Sequence, residues 1–173
     1  MKKISLVSCL LSLVSSAALA AAPLTGFYKT IDDKTNNPKS IVRLYECGDM
    51  LCGRIVALYD ADGAKISETL NNPERVADKV DGTPKMAGMD IIWNMKWNEK
   101  DAEYTSGKIL DPKSGSVYSS VIWADKDDAN LLRVRGKIGP FGRTQVWHVF
   151  PETELPKDLQ KLDVAKWEVK VIK

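Results

Sequence analysis

Histidine is almost missing from this chain: His148 is the only one in 173 residues. A Ser-His-Asp triad could be built on that imidazole alone, and no Gly-x-Ser-x-Gly elbow accompanies it. Zinc ligands are equally scarce, because the only cysteines are Cys9, Cys47 and Cys52, and the first lies in an N-terminal leader. Asp60-x-Asp62-Gly63 starts like a calcium loop, but its glycine comes too early and the later ligands do not follow. Asp32-Asp33 and Asp127-Asp128 fall in turn segments, where neighbouring carboxylates are ordinarily solvated. This set argues against an enzyme and against a metal or other cofactor. His148 reads as an ordinary strand residue, with a hydrolase built on it the weaker alternative.

Long apolar runs are absent beyond the first twenty residues. There Lys2 and Lys3 precede an apolar stretch over 4–14, and Ala18-Leu19-Ala20 supplies a small-x-small exit. The stretch is too short for a membrane-spanning helix, so residues 1–20 read as a signal peptide, cleaved after Ala20 or Ala22. A lipoprotein box ending at Cys9 is the rival reading, and only residues 4–8 would then separate it from the lysines. The expectation is a periplasmic or secreted protein without stable membrane insertion. Charge of one sign is missing too. Removing Lys2 and Lys3 from 25 basic residues leaves them equal to the 23 acidic ones. A chain without net positive charge usually lacks the basic face that nucleic acid requires.

What is present is strand signal. Residues 26–31, 39–47, 51–59, 89–97, 103–111, 116–124, 130–138 and 143–150 are predicted strands, divided mostly by short polar turns. In the fourth, Met89, Ile91, Trp93, Met95 and Trp97 are expected to share one buried face. Cys47 and Cys52 lie between two strands, an even pair in an exported protein, and read as a disulfide. A two-residue turn at Asp49-Met50 would pair Gly48 with Leu51 and set the two cysteines directly opposite. Residues 60–88 form a long insertion without strand alternation, in which Asn72-Pro73-Glu74 could cap a short helix. In the tail, Leu155, Leu159 and Leu162 have helical spacing, and Ala165, Trp167, Val169 and Val171 alternate like a strand.

The expected fold is all-β: an up-and-down, eight-stranded antiparallel barrel over 23–151, with a C-terminal helix and short strand over 152–173. Closing the meander removes exposed edges, and eight strands leave an interior that side chains fill or one small ligand occupies. The strand order resembles the lipocalins, and Gly26-Phe27-Tyr28 is similar to their Gly-x-Trp opening, with Tyr28 in the tryptophan's place.

A more specific likeness runs through GFYKT at 26–30, IVRLY at 41–45, CGRIV at 52–56 and GKILDP at 107–112 with Gly115 and Tyr118. It continues through LRVRG at 132–136 and GRTQVW at 142–147. These ordered blocks resemble the bacterial family catalogued as domain of unknown function 2147. The resemblance implies an exported lipocalin-like barrel and no particular activity.

Arginines within strands are the remaining signal. Arg133, Arg135 and Lys137 share one strand face; the preferred reading puts them outside, with Leu132 and Val134 inside. For Arg143, Gln145 and Trp147 the pattern leaves both faces open. If inward, they would hold a carboxylate or phosphate, since guanidinium binds such groups in bidentate fashion. The expected ligand site is Tyr28, Trp93, Tyr118, Arg143, Gln145 and Trp147, and the expected partner is a small hydrophobic or amphipathic anion. The alternative is an envelope protein-interaction module with a filled barrel and no ligand.

Overall fold

The computed structural model describes residues 24–171, so the expected leader and its cleavage sites lie outside the described residues. Nine strands follow one another: β1 Gly26–Ile31, β2 Pro38–Cys47, β3 Met50–Tyr59, β4 Ile66–Thr69, β5 Asp90–Asn98, β6 Glu103–Asp111, β7 Ser116–Ala124, β8 Leu131–Ile138 and β9 Phe141–Val149. All pairings are antiparallel, and β2 bonds to both β1 and β3, which closes eight strands into a ring with β4 appended to β3. Closure leaves the ring without a free edge.

Small residues mark where the wall bends inward. A Cβ on Gly53 would fall 2.8 Å from Leu44 Cδ2 and 3.1 Å from Ile92 Cβ, its register partners on β2 and β5, whose side chains close over it on the inner face. Continuing the register, Tyr28, Val42, Leu51, Ile55, Ile122, Leu132, Val134 and Trp147 also point inward, and all are buried. Each such side chain removed from water contributes roughly 1.5–3 kcal/mol before entropy is charged against it.

A second apolar layer lies outside the ring. Phe27, Ile41, Val56, Ala57 and Tyr59 are covered by Leu155 and Leu159 of the tail. Farther along, Asp90 forms an ion pair with Arg54 at 2.7 Å, and the Arg54 guanidinium lies 4.4 Å from the Trp167 ring centroid. The tail is thus a strap across β2, β3 and β5.

Four expectations need correction. The tail forms neither the expected helix nor the expected strand: it has single 3-10 turns at Glu152–Glu154 and Val164–Lys166, with turns between them. Its leucines dock one side chain at a time, and its backbone bonds to Arg54 and Asp90 side chains instead of to a ladder. The 60–88 insertion contains β4, and Asn72-Pro73-Glu74 caps no helix, because Glu68 takes the N–H groups of Glu74 and Arg75.

The hairpin turn sits one residue earlier than expected, at Gly48-Asp49, with Gly48 at φ +66° and Cys47 paired to Met50. The cysteines are therefore diagonal neighbours on one face, bridged at a Cα separation of 5.9 Å. So short a loop contributes about 2 kcal/mol in the chain-entropy account.

Finally, the single apolar face of β5 does not exist. Asn94 adopts φ +58°, and the register against β3 slips there, so Ile92 and Met95 both point inward while Trp93 points out. A bulge of this kind re-aims side chains without ending the strand.

Candidate functional site: the mouth of the barrel

The β1–β2, β6–β7 and β8–β9 turns gather at one end of the ring. Toward that end the inward row runs across Ser120, Gly136 and Arg143, which pair in succession on β7, β8 and β9. Deeper rows are closed: Val134 and Ile122, then Leu132 and Trp147, have almost no exposure. Near the mouth, by contrast, Ile109, Tyr118, Gly136 and Gln145 stay partly exposed, and Arg143 is exposed. The outcome is a shallow cup over a packed floor.

At Gly136 the missing side chain lets Tyr118 and Ile109 lie against the inner wall. A Cβ there would make only ordinary contacts, 3.5 Å from Tyr118 Cβ and 3.6 Å from Ile109 Cγ2. Gly107, also inward and next to Ser120, has no such space, because Met95 packs against it. Between these glycines Ser120 is 1% exposed, and its hydroxyl finds no hydrogen-bond partner among the described residues. An unsatisfied buried hydroxyl costs about 1–3 kcal/mol, so native structures rarely keep one without a reason.

Arg143 is held by the β1–β2 loop. It forms an ion pair with Asp33, whose Oδ2 also accepts from Gln145 Nε2 at 3.0 Å; Gln145 Oε1 in turn accepts from Trp147 Nε1 at 3.3 Å. A polar ladder therefore descends from the rim to the buried tryptophan. Arg143 is 64% exposed, and ion pairs this wet are worth about 0–1 kcal/mol.

The expected site residues are only partly assembled. Tyr118, Arg143 and Gln145 meet at the mouth, with Trp147 as the floor below them. Tyr28 faces inward but toward the other end, where its hydroxyl donates to Leu24 O at 3.2 Å. Burial pushes its phenol pKa up, opposed in part by the charge of Arg43. Trp93 points outward and joins the apolar cluster that includes Ala77, Val80 and Ala87. Arg133, Arg135 and Lys137 lie on the outer face, as preferred from the pattern. His148 is exposed on the same outer side, paired across from Lys29, with no side-chain hydrogen bond among the described residues. No group of three potential metal ligands occurs among the described residues. Ser120, Gly136 and Asp33 were absent from the expected site. Aligning β7, β8 and β9 in register finds the first two; Asp33 belongs to the Asp32-Asp33 turn pair expected to be solvated, and it instead reaches Arg143 and Gln145.

A separate surface depression of about 740 Å3 lies on the β5–β6 hairpin, lined by residues 96–100 with Thr105 and Ser106, away from the cup. No helix among the described residues is long and apolar enough to cross a membrane.

A closed eight-stranded antiparallel ring with a cupped mouth defines a lipocalin-like barrel. The fold is similar to a solved structure described as protein HP1028 from the human pathogen Helicobacter pylori, which belongs to the lipocalin family. The two share 17% identity over 79% of this chain and 88% of that one, with a TM-score of 0.59. Residues 26–149 match the family described as uncharacterized protein conserved in bacteria (DUF2147), and the chain belongs to that family. No curated protein matches it.

Proposed function

We propose that this protein is exported and holds a small amphipathic anion at the mouth of its barrel. The observation that carries the reading is the Ser120 hydroxyl, buried and without a partner beside Gly136, where only the Tyr118 ring and Ile109 cover the backbone. An anionic group lying over Gly136 would take Arg143 on one side and the Ser120 hydroxyl on the other, after the Tyr118 ring swings aside. Displacing Asp33 from Arg143 costs little, for the reason given above. Ile109 and Tyr118 would then cover a compact apolar body. The packed floor supports a short ligand over a long acyl chain, since Trp147, Leu132 and Ile122 fill the space below. Export rests on the leader pattern of residues 1–20.

Native mass spectrometry of protein taken from the periplasm tests both parts. The expected result is a processed chain with a small anion bound, lost in Arg143→Ala and in Gly136→Leu, which fills the cup. A chain that is empty and also fails to bind short aromatic and aliphatic carboxylates would overturn the reading. The same packed floor favours the second reading, an envelope interaction module whose outer surface does the work. That reading predicts no ligand and an unaltered partner in Gly136→Leu.

A further inference from the structure

The β8–β9 hairpin ends in an apolar point. Ile138 and Phe141 pair across the turn and are 63% and 79% exposed, the two most exposed large hydrophobic side chains among the described residues. Between them Gly139 takes φ +55° and Pro140 stiffens the turn, so the tip holds its shape without burying either residue.

The hairpin's own charge is one-sided, and of the carboxylates in the neighbouring turns, Asp32, Asp33 and Asp111, only Asp33 pairs with it, through Arg143. From 129 to 151 the chain has Arg133, Arg135, Lys137 and Arg143 but no carboxylate, and β7 beside it carries no charge at all. Lys108, Ser119 and Lys137 align across three strands just behind the tip. Among the described residues Lys108, Arg135 and Lys137 have no ion-pair partner, whereas Arg133 is taken by Asp125 and Arg143 by Asp33.

We propose that this hairpin tip docks reversibly on an anionic lipid surface, with Phe141 and Ile138 entering the interface and Lys108, Arg135 and Lys137 meeting the headgroups. Two side chains at the end of a hairpin are far too few for the core of a stable protein interface, which needs about 800 Å2 per partner. They suit a bilayer, where apolar groups enter the headgroup boundary and nearby cations add attraction. Such contact is peripheral and spans nothing. It also sets the cup mouth, at the same end of the barrel, against the lipid. The docking itself requires no ligand in the cup, so the two proposals fail independently.

Sedimentation of the processed protein with vesicles tests the inference, comparing mixed phosphatidylglycerol and phosphatidylethanolamine with phosphatidylcholine alone. Binding is expected to the anionic vesicles and to weaken at high salt. Ile138→Ser with Phe141→Ser should lower the partition by roughly ten- to a hundredfold. Lys137→Gln should lower it about fivefold. Ile138 and Phe141 are exposed and Lys137 is half-buried on the outer face, and unchanged melting curves would show the barrel intact. No sedimentation at low salt would overturn the inference. Sedimentation that the double variant retains in full would do so too, as would tip-dependent self-association without vesicle binding.

Discussion

Replacing Asp90 by alanine should loosen the tail strap and destabilise the whole barrel. The Asp90 carboxylate is wholly buried and accepts four hydrogen bonds: from Tyr45 OH at 2.8 Å, Arg54 Nε at 2.9 Å, Arg54 Nη2 at 2.7 Å and the Lys170 N–H at 2.9 Å. Arg54, only 12% exposed, would be left with the Glu168 carbonyl and the faces of Tyr45 and Trp167. Breaking one side of a buried ion pair costs about 3–5 kcal/mol, because the surviving charge stays desolvated. For a chain of this size each kcal/mol moves the midpoint by about 2–4 °C, so Tm should fall by roughly 6–20 °C. Hydrogen exchange gives a local reading: the Lys170 amide, bonded to Asp90, should exchange much faster in the variant. A loss under about 1 kcal/mol, or an unchanged Lys170 amide, would refute the strap as a structural element.

The two inward glycines should respond oppositely. Gly107→Ala brings a Cβ against Met95 Sδ and 2.6 Å from Trp93 O, and should cost about 1–3 kcal/mol in urea unfolding. Gly136→Ala meets only ordinary contacts and should be neutral or stabilising by up to about 1 kcal/mol; equal losses at both positions would remove the cup. Stability should also fall at both pH extremes. Burial, then the hydrogen bond to Asp90, raises the Tyr45 phenol above its ordinary 10.0, so the folded state keeps a proton that the unfolded state loses. Stability is therefore full below pH 10 and declines above it, and Tyr45→Phe should flatten that decline in denaturant titrations. Burial opposes the charge of Glu68, but the Arg75 and Glu74 N–H groups and the Arg75 guanidinium outweigh it and hold the pKa below 4.5. That stabilisation is present above pH 4.5 and lost as pH falls through the depressed value, an acid loss that Glu68→Gln should reduce.

The barrel was legible because strands separated by polar turns leave few alternatives, and each of the eight ring strands lies within a few residues of its expected place. What failed was arithmetic of two kinds. Period-two counting along 89–97 assumes an unbroken pleat, and one residue at positive φ, Asn94, reverses the face on which Trp93 stands. Spacing in the tail assumes that Leu155, Leu159 and Leu162 sit on one helix, but separate turns also bring Leu155 and Leu159 into a single outer cluster. The site was harder still. Arg143, Gln145 and Trp147 could be grouped on one face of β9, yet which face looked inward depended on pairing with β8. Ser120 carries no mark in the sequence that separates it from Ser119, and only the ring makes one inward and the other exposed.

An eight-stranded ring has little interior to spare, and in this chain its own tryptophan takes much of it. Trp147 is anchored through Gln145 to Asp33, so the floor of the cup and the clamp at its rim are one connected structure. A ligand that captures Arg143 must release Asp33 and with it one end of that ladder. Because the released loop ends in water, where Asp33 is readily solvated, the exchange is nearly balanced. Selectivity must then come from the buried end. A hydroxyl that has no partner rewards only ligands that bring an acceptor or donor to it, and leaves competitors without one to meet a desolvated polar group. At this mouth Arg143 would thus supply the charge that holds an anion, and Ser120 would decide which anion stays.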